Sequence, residues 1–147
     1  MHLRVRLPTL EKHPWSELAF LYAGAMDKAE LPLQLLSYTG ALYLMMESSK
    51  WYPLAPHFDK CWPGKDFVHV VIGPVDAVDK FWTRASVNVA ITGALPKPTE
   101  EQKLGISNYD HVVTPTQVQA SKLAEYGISD VGVVPPDRIG EFLRRFL

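Results

Sequence analysis

Four short apolar runs dominate the second half of this chain, at residues 67–72, 87–92, 111–114 and 131–134. Glycine, proline or threonine closes each of them, and a helix-length stretch separates it from the next. Runs too short for a helix, rich in Val and Ile and without polar alternation, are those of strands buried on both faces. Such strands, joined by helices, build a parallel sheet. The expected fold class is therefore α/β. It is a single Rossmann-like domain over residues 1–147, with a mainly parallel sheet of about six or seven strands and helices on both faces.

The first half fits the same plan. Residues 2–7 alternate and read as a strand. Residues 15–30 read as a helix with Leu18, Leu21, Tyr22, Ala25 and Met26 on one face, bounded by Pro14 and Pro32. Two further apolar runs, 33–38 and 41–46, stand on either side of Thr39-Gly40 and read as strands. From 48 to 65 the prolines Pro53, Pro56 and Pro63 with Gly64 break any period, so a loop is expected. Its aromatics, Trp51, Tyr52, Phe58 and Trp62, either pack the loop down or stack on a sugar or a partner protein. Downstream, helices are expected at 75–85 with Val78, Phe81 and Trp82 inward, at 99–104 capped by Thr99, and at 116–126. The last carries a capping-box pair, Thr116 and Gln119, and a C-terminal glycine, Gly127. Asp137 is expected to cap a final helix with Ile139, Phe142, Leu143, Phe146 and Leu147 on one stripe.

Charge and residue usage narrow the function classes. A net charge of −1 argues against a broad basic surface, and so against a nucleic-acid partner. The lone Cys61 cannot form an internal disulfide, and the N-terminus reads as a strand and not as a signal peptide. A reducing, cytoplasmic setting is the expectation. No apolar run approaches the roughly 20 residues that a membrane span needs. The histidines, His2, His13, His57, His69 and His111, show no metal-ligand spacing, and no phosphate-binding glycine loop is present, so neither a metal nor a cofactor is expected. His69, in an apolar strand, is expected to satisfy a backbone partner in the core.

Open parallel sheets bind ligands at the carboxyl ends of their strands. That rule selects Thr9, Thr39, Gly73, Asp76, Gly93, Thr114 and Thr116 as candidate ligand-binding residues. Thr116 either caps its helix or helps hold an anion at the helix start. His111, beside Asp110 at the start of a strand, belongs either to a surface pair or to the lining of a cleft. No catalytic residue is assignable from spacing alone.

The stretch Asp110-His111-Val112-Val113-Thr114-Pro115-Thr116, a helix, Tyr126-Gly127-Ile128, and then Val131-Gly132-Val133-Val134-Pro135-Pro136 resembles the end of the N-terminal, acceptor-side domain of GT-B glycosyltransferases. The likeness is to the retaining group that includes glycogen-synthase-like and sucrose-synthase-like enzymes. Upstream, Asp66-Phe67-Val68-His69-Val70-Val71 and Val89-Ala90-Ile91-Thr92 are similar to two earlier strands of that domain. The resemblance implies a sugar acceptor bound by this chain. It also implies a nucleotide sugar held by a second domain, which these residues do not include and which a second chain would supply. Two positions depart from the family pattern. Gly93 and Ala94 stand where a His is usual, and Pro8-Thr9-Leu10-Glu11-Lys12 replaces a glycine-rich turn. Two functions thus stand side by side: the acceptor half of a minimal or split sugar transferase, or a non-catalytic Rossmann-like module for protein–protein interaction. A homodimer is compatible with either.

Overall fold

A computed structural model describes residues 1–40, 46–58, 60, 62 and 66–147. Among them the chain forms six strands, β1 (His2–Leu7), β2 (Leu33–Ser37), β3 (Phe67–Ile72), β4 (Val87–Ile91), β5 (His111–Thr114) and β6 (Val131–Val133). All neighbours pair in parallel, in the order β2-β1-β3-β4-β5-β6. The α/β class, the parallel sheet and the helices on both faces are as the sequence leads one to expect. The strand expected at 41–46 falls almost wholly outside the described residues.

Alternation along the strands divides the interior into two layers. Leu3, Val5, Leu7, Val68, Val70, Ile72, Val89 and Ile91 point to one face. There α1 (Ser16–Lys28) and α6 (Ile139–Arg144) cover them with Tyr22, Met26, Ile139 and Leu143. Val71 and Ala90 point to the other face, under α3 (Val75–Lys80), α4 (Glu100–Ile106) and α5 (Gln117–Glu125), which contribute Val75, Val78, Ile106 and Leu123. Tyr22 ties α1 to the far side of the sheet, its buried hydroxyl donating to the Val134 carbonyl at 2.6 Å.

Several element boundaries move, each for a local reason. The helix expected at 75–85 stops at Lys80. Phe81 stacks on Tyr38 with ring centroids 5.0 Å apart, and the Trp82 indole donates to the Asn108 carbonyl, so both side chains draw the chain out of the helix. Trp82 is 40% exposed and does not face inward. Asp137 is not a cap: Pro135 and Pro136 fix φ at the start, and residues Pro136–Arg138 form a 3₁₀ turn before α6 begins without a side-chain cap. Thr116 does cap α5, accepting the Gln119 N–H at 3.3 Å, but Gln119 does not reciprocate because its Oε1 accepts from the Thr114 hydroxyl at 2.7 Å. The two-way capping box belongs to Thr99 and Gln102 on α4. Gly127 closes α5 at φ 91°, as its position suggests.

Within the expected loop, a 3₁₀ turn (Tyr52–Leu54) leads into the short helix α2 (Ala55–Phe58). Trp51 is 1% exposed and packs edge-on to Phe20 and Phe58, while Trp62 stacks on His2 and donates to the Leu33 carbonyl. Packing, not ligand stacking, therefore occupies these aromatics, Tyr52 excepted.

Where α6 crosses the end of α1, a Cβ on Gly140 would lie 2.7 Å from the Ala29 Cβ. Gly140→Ala gains up to about 1 kcal/mol in helix propensity but forces the two helices apart, which costs about 1–3 kcal/mol. A net loss of about 1 kcal/mol is expected, read as a lower urea midpoint at unchanged slope.

Candidate functional site

Because every strand is parallel, the residues just after Leu7, Ser37, Ile72, Ile91 and Thr114 gather along one edge. The candidates Thr9, Thr39, Gly73, Asp76, Gly93, Thr114 and Thr116 follow those strands, yet they do not form one site. At the β1–β2 end, the Thr9 hydroxyl shares a hydrogen bond of 2.7 Å with the Ser37 hydroxyl and donates to the Gly40 carbonyl at 2.8 Å. The Thr39 hydroxyl accepts the Thr9 and Leu10 N–H groups, each at 2.9 Å. Together these bonds clamp the first loop to the end of β2, with the hydroxyls engaged in structure.

At the topological switch between β1 and β3, Tyr38 occupies the crevice. Its hydroxyl donates to the Ile72 carbonyl at 2.9 Å and lies against Gly73. Burial raises the phenol pKa well above its ordinary range, and the Asp76 carboxylate adds to the shift. His13 meets the Tyr38 ring edge-on at 6.0 Å. Its Nδ1 accepts the Trp15 N–H at 3.1 Å, so in the neutral ring the proton sits on Nε2. Burial lowers the His13 pKa, and the Asp76 charge opposes that shift.

An open cleft of about 400 Å³ lies one strand further along, between the start of α1, the end of β4 and the side of α5 from Val118 to Tyr126. It is lined by Pro14, Trp15, Leu18, Gly93, Ala94, Leu95, Val118, Gln119, Lys122 and Tyr126. Gly93 makes it possible. A Cβ there would sit 2.9 Å from both Trp15 Cζ2 and Gln119 Oε1, so the indole and the amide close down on bare backbone. The buried Thr114 hydroxyl holds Gln119 Oε1, which leaves the amide N–H₂ free to donate. Leu95 and Val118 stand at the rim, 77% and 73% exposed. Gly93 and, through Gln119, Thr114 and Thr116 thus belong to this cleft; Thr9, Thr39, Gly73 and Asp76 lie elsewhere along the edge.

His111 is placed at the opposite edge. It opens β5, and its ring packs on Phe142 and Phe146 of the terminal segment at 6.0 and 4.7 Å. Its neighbour Asp110 accepts the Asn88 N–H at 2.7 Å, so the two do not pair with each other. His69, fully buried, bonds a side chain, Asn88 Oδ1 at 3.1 Å, and not the backbone. Sequence reasoning missed Trp15, Gln119, Lys122 and Tyr126. The one available signal was a Trp directly after Pro14, at the start of the first helix after β1.

Among the described residues no three His, Cys, Asp or Glu side chains are gathered to hold a metal ion, and no helix is long and apolar enough to cross a membrane. Compared with protein-family models, with curated proteins and with solved structures, the chain finds no match in any of the three.

Proposed function

We propose that this chain is the acceptor-side half of a sugar transferase of the GT-B kind, and that the cleft under Trp15 holds the acceptor. The observation that carries this reading is the indole seated on Gly93 at the carboxyl edge of a parallel sheet, beside a fixed amide. A flat aromatic surface takes the apolar face of a ring, and a preset amide orients its oxygens. The strand–threonine–helix order at Asp110 to Thr116 supports the same reading by likeness to the family.

The chemistry assigned to these residues is binding and orientation. Gly93 stands where the family carries a His, and the indole fills the space above it, so no proton transfer is assigned there. Contacts to a nucleotide sugar would come from a second domain or chain, which makes the donor a substrate and not a resident cofactor. A second reading, a non-catalytic module that binds a protein, is favoured by the neighbouring exposed side chains Leu95 and Val118.

Calorimetric titration with alkyl and aryl glycosides, and in parallel with nucleotide sugars, tests the proposal. Glycosides are expected to bind saturably in the millimolar range and nucleotide sugars not at all. Gly93→Ala, which displaces the indole, is expected to weaken glycoside binding several-fold at a stability cost of only about 1 kcal/mol. Binding of nucleotide sugars without glycosides would contradict the acceptor assignment. Silence across both panels would move the weight to the protein-binding module.

A further inference from the structure

Resting on the reading of this cleft as the acceptor site, we infer its ligand class: an apolar ring or chain that carries a single anionic group. The side chains around the cleft are of two kinds. Leu18, Ala94, Leu95 and Val118, with the Trp15 and Tyr126 rings, form the larger share of the wall. Every polar side chain among them can donate a hydrogen bond: the Trp15 indole, the Gln119 amide whose oxygen is already taken by Thr114, the Lys122 ammonium and the Tyr126 hydroxyl. No lining side chain carries a negative charge. Among the described residues Lys122 has a single carboxylate neighbour, Glu125, at 3.9 Å, and both side chains are more than half exposed, so the pair leaves the cation available. A second cation, Lys97, stands 5.4 Å from the Tyr126 ring on the same rim.

This imbalance favours an acceptor that carries an anionic group over a neutral one. Sugar hydroxyls must donate as well as accept, and of these side chains only the Tyr126 hydroxyl has an unengaged oxygen to accept, so a neutral polyol is poorly matched. A carboxylate or phosphate monoester only accepts, and it matches a rim of amide and ammonium donors. The apolar body of such a ligand would cover Leu95 and Val118, the most exposed apolar side chains of the cleft.

The test is a titration of the whole chain with phenyl phosphate, inorganic phosphate and phenyl β-glucoside, followed on the ¹⁵N signals of the Gln119 side chain and the Trp15 indole. Phenyl phosphate is expected to bind at the cleft and to weaken with added salt. It should bind about tenfold more tightly than either inorganic phosphate, which lacks the body, or phenyl β-glucoside, which lacks the charge. Lys122→Met is expected to weaken phenyl phosphate roughly fivefold and the glucoside by a much smaller factor. Equal binding of the glucoside, or phenyl phosphate binding unaffected by Lys122→Met, would overturn the charge assignment and leave the acceptor reading standing. If phenyl phosphate binds as expected while no hydroxyl-bearing glycoside does, the ligand class stands and the transferase reading fails. If phenyl phosphate moves neither signal, the inference is wrong.

Discussion

Acidification from neutral pH to about pH 4 is expected to remove up to about 3 kcal/mol of stability through one side chain, His69. The imidazole lies on β3 between Arg4 of β1 and Asn88 of β4 in register, with no exposure to solvent. Asn88 donates its amide to the Thr83 carbonyl at 2.9 Å, which turns Oδ1 toward His69 and fixes the imidazole proton on Nδ1. Nε2 is buried and has no partner among the described residues. Burial lowers the pKa from 6.5 to about 4; the Asn88 bond acts against that shift, and the charges of Arg6 and Arg4 add to it. Between those two values the unfolded chain holds a proton that the folded chain refuses. Stability is therefore fully present above the ordinary histidine pKa and is lost as pH falls toward the folded value.

Urea unfolding at a series of pH values reads this directly. His69→Gln keeps a donor for Asn88 and removes the titration, so most of the slope across this window should disappear. A smaller slope should remain, because burial also lowers the pKa values of His2 and His13. Retention of the full slope in the variant would show that His69 is not the group responsible.

The second large effect is at the switch point. Gly73→Ala is expected to cost about 2–3 kcal/mol, because the new Cβ runs into the Tyr38 hydroxyl and also approaches the Ala77 Cβ at 3.3 Å. Tyr38 has little room to yield, since its hydroxyl is bonded to the Ile72 carbonyl and its ring is stacked on Phe81. Tyr38→Phe alone removes that bond and should cost about 1 kcal/mol. In the double variant the clashing atom is gone, and the next ring carbon would stand 3.4 Å from the Cβ, an ordinary contact. The double variant is therefore expected to be more stable than Gly73→Ala alone, with a coupling of about 1–2 kcal/mol in the cycle. Additive losses would mean that the glycine is required for some reason other than the hydroxyl.

The fold was legible because its signal is local and repeated. A run such as Phe67–Ile72 carries its burial in its own composition, and Thr99, Thr116 and Gly127 mark helix ends with their own side chains or with the lack of one. Errors fell where a contact distant in sequence decides the outcome. Phe81 leaves α3 to meet Tyr38, and Gln119 turns from its cap to Thr114. The candidate site shows the same limit more sharply. The rule about carboxyl ends leads to the edge that holds the proposed cleft, but which residues along it remain open depends on what fills the gaps. Tyr38 fills the β1–β3 crevice, and the hydroxyls of Thr9 and Thr39 are engaged in binding the first loop to the end of β2. Beside Gly93 the packing leaves a cleft whose wall is Trp15, far away in sequence, and a smaller opening of about 310 Å³ lies by Thr9, Glu11 and residues 48–51.

The most direct measurement is a ¹H–¹⁵N NMR titration of the whole chain with phenyl β-glucoside. If the cleft is the acceptor site, the Trp15 indole, the Gly93 amide and the Gln119 side-chain amide will shift together and saturate, while the buried Trp51 indole stays still. Shifts confined to other parts of the surface, or none up to the solubility of the glucoside, would contradict the assignment of this cleft.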